Sequence, residues 1–250
     1  MKSLINYANK YETDDFLKGD PSWFMHQVNG AENQETMAFL ASTLSYGSRA
    51  QFMPKIQTLL TLAKGEPLQW LKTGEYGSSL VHGDKRSFYR LYSYDLYSRF
   101  LDRYAQLVNE YGTLGSYVNR HATTGFEAVK AITEYFADNH ASSQTIIPKD
   151  TTSACKRVCM FLRWMVRDNS PVDLGLWRFI DKSTLIMPLD THVLQQSMAL
   201  GLLSSRTASM SAAIRLSNKL AEIFPGDPLK GDFALFGYGV NQEYNKNKNE

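Results

Sequence analysis

Ser153-Ala154-Cys155-Lys156-Arg157-Val158-Cys159-Met160-Phe161-Leu162-Arg163-Trp164-Met165-Val166-Arg167 is the stretch that decides the fold. Its apolar residues surround the helix expected over residues 152–167 instead of forming one stripe, and a helix apolar all round lies at the centre of a packed structure. Lys156, Met160, Arg163 and Arg167 follow one another at spacings of four, three and four, which puts them on one face. A buried cation needs a partner, so that face must look into a polar cleft or onto carboxylates.

Outward from this segment, the other strong patterns also have helical period. Residues 35–44 carry Met37, Phe39, Leu40 and Leu44, and the run breaks at Tyr46-Gly47-Ser48. Residues 51–63 repeat Phe52, Ile56, Leu59, Leu60 and Ala63, then stop at Gly65 and Pro67. Residues 89–111 end at Gly112, and residues 126–140 form a further amphipathic helix. The run at 193–200 closes on Gly201, a left-handed cap. Residues 209–224 stop before Pro225, and residues 229–236 end at Gly237 and Gly239. No segment reads as a strand, a repeat or a low-complexity linker. The expected fold class is all-α, a two-lobed helical bundle of about ten helices. Residues 1–240 form one two-lobed unit, and the polar tail 241–250 frays.

A chain of 250 residues is long enough for a sizeable core, as one large domain or two lobes. With 43% hydrophobic residues it is not a disordered polymer. The net charge of +2 neither demands a nucleic-acid partner nor excludes one, because a local basic face matters more than the sum. Cys155 and Cys159 are the only cysteines, four apart on one helix, which argues against a disulfide scaffold and for a reducing interior. They are too few for a structural zinc or an iron–sulfur site, so no metal and no cofactor are expected. Residues 1–15 lack the apolar block of a signal peptide, and no run approaches the ~20 apolar residues that span a bilayer. The expected location is the cytoplasm, away from membranes.

Lys156 and Asp190 each open a helix. Asp190 stands in Pro188-Leu189-Asp190-Thr191-His192-Val193. The positive end of a helix dipole favours an uncharged amine, the form a Schiff-base nucleophile requires. A fixed carboxylate can stabilise a developing oxocarbenium ion or take a proton. Each residue also has a plain structural reading: an aspartate there is an ordinary N-cap, and a first-turn lysine is ordinarily solvated. His192 reads as a first-turn packing or hydrogen-bonding residue.

Together these segments resemble the helix-hairpin-helix superfamily of DNA glycosylases. Leu189-Asp190-Thr191-His192-Val193 is similar to the block that carries the superfamily's catalytic aspartate. The segment from Ala154 to Leu162 resembles the one that carries the lysine nucleophile of bifunctional members, and Lys156 falls on it. The two residues lie thirty-four positions apart, a spacing closest to the archaeal 8-oxoguanine glycosylase branch. Phe39-Leu40-Ala41-Ser42-Thr43-Leu44-Ser45-Tyr46 resembles the early helix that ends beside the flipped base. Asp232-Phe233-Ala234-Leu235-Phe236-Gly237 resembles an element that holds 8-oxoguanine, with Phe236 in the stacking position. Over nearly its full length the chain resembles a bacterial family of unknown function, marked by the Cys155-to-Arg167 and Pro188-to-Val193 blocks. The chain departs from the superfamily at the hairpin, where Ile146-Ile147-Pro148-Lys149-Asp150-Thr151-Thr152-Ser153 offers no glycine for a tight phosphate-gripping turn. Gly47 stands where the archaeal branch has a base-reading glutamine, and the four-cysteine cluster of endonuclease III is missing.

The resemblance implies a helix-hairpin-helix fold with a degenerate hairpin and a base-excision glycosylase with β-elimination lyase activity, active on damaged double-stranded DNA, oxidised purine included. Lys156 would attack C1′ and Asp190 would stabilise the positive charge there. Asp232, Phe236, Tyr46, Ser45 and Gly47 would contact the extruded base. Arg49, Lys149, Arg157 and Arg206 would contact phosphates. The enzyme would act as a monomer without cofactor. The competing expectations are a catalytically silent nucleic-acid-binding protein of the same fold and a helical interaction protein.

Overall fold

The computed structural model describes residues 2–137 and 146–247. The described residues are mostly α-helical, and the chain divides into two compact units. The first comprises residues 1–18, 124–126 and 151–250, and the second residues 19–123 and 127–150. The first unit holds α1 (Lys2–Tyr11), α8 (Lys156–Val166), α9 (Thr191–Ala199), α10 (Met210–Ile223) and α11 (Lys230–Asn247). The second holds α2 (Ala31–Leu44), α3 (Arg49–Ala63), α4 (Pro67–Thr73), α5 (Tyr94–Tyr111), α6 (Leu114–His121) and, apart from its first two residues, α7 (Gly125–Ala137). The expected continuation of α7 to residue 140 lies outside the described residues.

In the first unit α8 is the central helix its composition demands. Every residue from Val158 to Val166 is buried, and Phe161, Trp164 and Met165 are wholly so. The irregular chain after α8 folds back on it. Leu174 N–H donates to the Trp164 carbonyl at 2.7 Å and Trp177 N–H to Met165 at 2.8 Å, which satisfies carbonyls a helix end leaves open. Met187 N–H donates to Ser217 Oγ at 2.8 Å, tying the same segment to α10. Gly201 has φ +70 and closes α9 in the left-handed conformation, as its sequence position requires.

Helix α11 departs from expectation. It runs through Gly237 and Gly239 to Asn247, where the sequence suggested a stop at the glycines and a fraying tail from residue 241. The glycines serve packing instead. A Cβ on Gly237 would lie 2.4 Å from Tyr11 Cδ2 and 3.1 Å from Tyr7 Cβ. Two bare positions on α11 therefore let α1 and α9 approach closely, Gly239 facing Gln196. Gly237→Ala should push α1 off this seam and destabilise the unit by about 1–3 kcal/mol, the usual cost of overpacking. Urea unfolding would check this, and an unchanged midpoint would remove the close-packing account.

The second unit has its own aromatic core. Phe39, Tyr97, Phe100, Tyr104 and Phe136 have no exposed surface, and Phe39 meets Tyr104 and Phe136 at centroid distances of 5.0 and 5.5 Å. Here α2 is the central helix, buried on all faces from Glu35 to Leu44. Its stripe of Met37, Phe39, Leu40 and Leu44 hid this, because Thr36, Ser42 and Thr43 read as a polar side. Those hydroxyls turn back on their own helix: Thr36 to the Glu32 carbonyl at 2.8 Å, Ser42 to Phe39 at 2.8 Å, Thr43 to Leu40 at 2.7 Å. Glu35 accepts from Gly115 N–H at 3.0 Å at the start of α6.

The expectation of no strand is corrected by a small antiparallel hairpin, β1 (Ser87–Tyr89) and β2 (Tyr92–Ser93). Its strands are too short to show an alternating pattern. Its two-residue turn, moreover, uses Arg90 at φ +50, where glycine or asparagine would have signalled a hairpin. The strand pair displaces the first part of the helix expected over residues 89–111, and α5 starts at Tyr94 with Ser93 as its cap.

Candidate active site

Three helix starts of the first unit bring their polar residues together. Lys156 is the first residue of α8, and Cys155 before it adopts φ +46, ψ +39, a left-handed conformation unusual for a residue with a side chain. That backbone reversal separates the irregular segment at 151–154 from the helix. Ser153 forms an isolated antiparallel bridge with Ser209, and the Cys155 thiol donates to the Ser153 carbonyl at 3.5 Å. Asp190 caps α9, its Oδ1 accepting from Val193 N–H at 2.9 Å. The other carboxylate oxygen, Oδ2, lies 3.8 Å from Lys156 Nζ.

The amine and the carboxylate are each about one-third exposed, at 32% and 37% of the side chain. An ion pair so exposed contributes only ~0–1 kcal/mol to stability. Stability alone therefore gives little reason for the pair, while its geometry leaves both groups reachable from solvent. Asp190→Ala should cost about 1 kcal/mol through loss of the cap, whereas Asp190→Asn keeps a capping oxygen and should melt close to the native protein. Thermal melts of the two variants check this. Equal losses would mean that the charge, not the cap, holds the start of α9.

Asp232 completes the cluster from the first turn of α11. It accepts a short hydrogen bond from Arg163 Nη1, and its side chain is 19% exposed. Burial pushes its carboxyl up from the ordinary value, against the opposing charges of Arg163 and Lys156, while the nearby charge of Asp190 adds to the rise. One turn further on, Phe236 is 36% exposed and meets Tyr11 and Phe16 edge-on, at 5.5 and 5.1 Å.

The predicted cationic face of α8 does look onto carboxylates, as its spacing required. Arg163 Nε donates to Asp173 Oδ1 at 3.2 Å. Arg167 grips Asp227 with two bonds of 2.8 Å, donates to Glu12 Oε1 at 2.8 Å and forms a short bond to Asp173 Oδ2. Both guanidiniums also lie against the Phe233 ring, at 4.8 and 5.4 Å. Asp173, Asp227 and Glu12, the other partners of Arg163 and Arg167, carry no signal in the sequence. The seven-residue spacing from Lys156 gave the face, but Glu12 and Asp227 are remote in sequence and Asp173 lies in the irregular chain after α8.

Of the remaining candidates, Arg157 is half-buried on α8 and Arg206 is exposed before α10, both in the first unit. Ser45, Tyr46, Gly47, Arg49 and Lys149 belong to the second unit. Ser45 is buried and its hydroxyl donates to the Ala41 carbonyl at 2.7 Å, which leaves no donor for a base. Tyr46 lies against Tyr89 and Tyr92, and its carbonyl accepts a short bond from the Tyr89 hydroxyl. Gly47, at φ +81, is bare for a local reason: a Cβ there would meet Arg90 Nη1 at 2.5 Å. Arg49 already faces a carboxylate, Asp20 Oδ2 at 3.5 Å. Lys149 is exposed and lines an open cleft of about 650 Å³ with Arg103, Tyr111, Tyr117, His121 and Tyr135. The described residues 146–153 contain no helix. Among the described residues no cluster of three or more His, Cys, Asp or Glu could hold a metal ion. Among them, too, no helix is long and apolar enough to cross a membrane.

Residues 20–241 match the protein family described as "Protein of unknown function (DUF2400)". The chain belongs to that family. Lys156, Arg163, Asp190 and Asp232 all lie within the matched span, so the cluster is part of the family domain and not an appendage. No curated protein and no solved structure matches the chain.

Proposed function

We propose that the protein is a DNA base-excision glycosylase with an associated β-elimination lyase activity, built on a helix-hairpin-helix type of fold whose hairpin has degenerated. The observation that supports it most is the approach of Lys156 Nζ to within 3.8 Å of Asp190 Oδ2, with both groups partly exposed at helix starts. In this reading Lys156 Nζ bonds to C1′ of the damaged nucleotide as the C1′–N bond breaks. The base leaves with the bonding electrons and takes up a proton. Asp190 stabilises the positive charge that develops at C1′, held in place by the Val193 amide. The sugar opens to an imine on Lys156. Loss of a C2′ hydrogen as a proton then drives out the 3′ phosphate, which nicks the strand. Phe236, exposed one turn beyond Asp232, offers a ring to the extruded base. An oxidised purine in duplex DNA is the substrate, and the enzyme works in the cytoplasm as a monomer without cofactor.

Borohydride trapping on duplexes that carry 8-oxoguanine or an abasic site tests this. A covalent adduct with the native protein, absent from Lys156→Ala, is the expected outcome. Salt-sensitive binding of the same duplexes without any adduct would assign the protein to the silent nucleic-acid-binding class. Neither binding nor adduct would remove nucleic acid from the account altogether.

A further inference from the structure

We propose that the cleft between α5, α6 and α7 of the second unit binds a linear polyamine, which places its ammonium groups on Glu110 and Glu134 and its methylenes on the tyrosine rings. The site is independent of the proposed repair chemistry. Glu110 and Tyr111 come from the last turn of α5, Tyr117 and His121 from α6, and Glu134 and Tyr135 from the last turn of α7. With Arg103 and Lys149 they line one open cleft of about 650 Å³.

Its wall is aromatic and fixed. Tyr117 is the hub, only 7% exposed, with its hydroxyl donating to the Ala131 carbonyl at 3.2 Å. Tyr111 and Tyr135 meet its ring edge-on at 5.1 and 5.0 Å, and His121 lies against it at 4.4 Å. His121 Nδ1 is 2.8 Å from the Tyr117 carbonyl, which holds the imidazole there. Ring faces attract cations, and this cluster already carries two: the Arg103 guanidinium lies 3.9 Å from the Tyr135 centroid and that of Arg120 lies 5.4 Å from Tyr111.

Arg103 offers little to an anion. Its Nε and Nη2 donate to the Tyr135 carbonyl at 3.2 and 2.9 Å, and Nη1 donates to Gln106 Oε1 at 2.9 Å. The carboxylates are open by contrast. Glu110 is exposed, and Glu134 faces Lys130 at 3.7 Å in a pair exposed on both sides, which contributes little and yields readily to another cation. The phenols register this surrounding. A hydrogen bond to Glu110 raises the Tyr111 phenol, and burial raises that of Tyr117, with Tyr111 and Glu134 adding to the rise. Burial lifts Tyr135 to about 12, against Arg103 and with Glu110 adding. A phosphate would thus meet two carboxylates with the Lys149 ammonium as compensation, an unfavourable balance. One compact cation would reach a single carboxylate. Carboxylates on two helices with rings beside them suit two ammoniums joined by methylenes, which pack on apolar surface as lysine stems do.

Titration calorimetry of the native protein with spermidine tests the site. Saturable binding is expected, and an uncharged diol of the same length should give none. Glu110→Gln combined with Glu134→Gln should weaken binding roughly 10-fold. Both residues are exposed, so circular dichroism of the double variant should stay native. Tyr111→Leu should weaken binding about 3-fold through loss of a ring face. Lys149→Gln decides the sign of the preference: removal of an exposed cation should tighten spermidine about 3-fold. No saturable heat below about 10 mM spermidine would overturn the proposal. Equal affinity in the double variant would place the polyamine on ordinary surface carboxylates and overturn it as well. Weaker spermidine binding by Lys149→Gln, or tighter binding of a dibasic peptide than of spermidine, would assign the cleft to a different ligand.

Discussion

Arg167→Met will remove about 3–5 kcal/mol of stability, the effect of leaving buried charges without their partner. A domain is stable by only ~5–15 kcal/mol, so the variant should be partly unfolded near body temperature or fail to accumulate. The size follows from what the guanidinium holds. Arg167 is 1% exposed at its side chain and bonds Asp173, Asp227 and Glu12, whose side chains are 0%, 21% and 8% exposed. Methionine fills similar space but satisfies none of them. Asp173 would retain Arg163, whereas Glu12 would keep only Lys230 Nζ at 3.8 Å. Arg167→Lys should fall between, because a single ammonium cannot reproduce the fork on Asp227. Urea unfolding at neutral pH measures both, and a methionine variant within 1 kcal/mol of the native protein would refute the account.

The sign of the pH dependence supplies a second check on the same variant. Burial raises the Asp173 carboxyl while Arg163 and Arg167 oppose the rise. Without Arg167 the opposition weakens, and the folded-state value climbs further above the unfolded one. A carboxyl raised by folding binds its proton more tightly in the folded state. It contributes stability at acid pH that is lost as pH climbs through the folded value. The deficit of Arg167→Met should therefore be smaller in mildly acidic buffer than at neutral pH. Acid stability curves would show the two proteins converging as pH falls.

The central position of α8 could be read directly, because nine successive residues from Val158 to Val166 leave no polar face for solvent. The centrality of α2 could not, because Thr36, Ser42 and Thr43 read as a polar side until their bonds to their own helix are seen. Helix α1 was passed over for a related reason: only Leu4 and Ala8 are buried, too short a stripe to stand out. The glycines of α11 misled in the opposite direction. A glycine at a helix end and one at a close crossing are the same letter, and only Tyr11 and Gln196 across the contact distinguish them. In the site, Asp190 was legible because it carries a helix-start signal, whereas Lys156 was marked by the cationic face of its helix and by the resemblance. Asp227 and Glu12 were not legible, since ion pairing across distant segments leaves no local pattern, and Asp173 was not, since the irregular chain after α8 has no period to mark it. Ser45 and Gly47 were named through the resemblance; in the structure the Ser45 hydroxyl donates to the Ala41 carbonyl and a Cβ on Gly47 would meet Arg90.

Lys156→Ala is the variant with the largest expected effect on chemistry and almost none on the fold. The lysine side chain is 32% exposed, its pairing with Asp190 contributes at most ~1 kcal/mol, and alanine is the best helix former at the position it would occupy. Melting should therefore stay within about 1 kcal/mol of the native protein, which removes misfolding as an explanation for lost activity. Trapping should vanish, because an imine needs a primary amine at the reacting carbon. Strand nicking at an abasic site should fall at least about 10³-fold, equivalent to ~4 kcal/mol of transition-state stabilisation. Base release is the finer reading. If Asp190 stabilises the oxocarbenium ion on its own, slow hydrolytic release should persist in Lys156→Ala and disappear in Asp190→Asn, whose cap and fold are retained. Peptide mapping of the native adduct decides the matter: borohydride-fixed sugar on any residue other than Lys156 would show that the pair at the starts of α8 and α9 is a capping accident, and its 3.8 Å approach would then carry no chemistry.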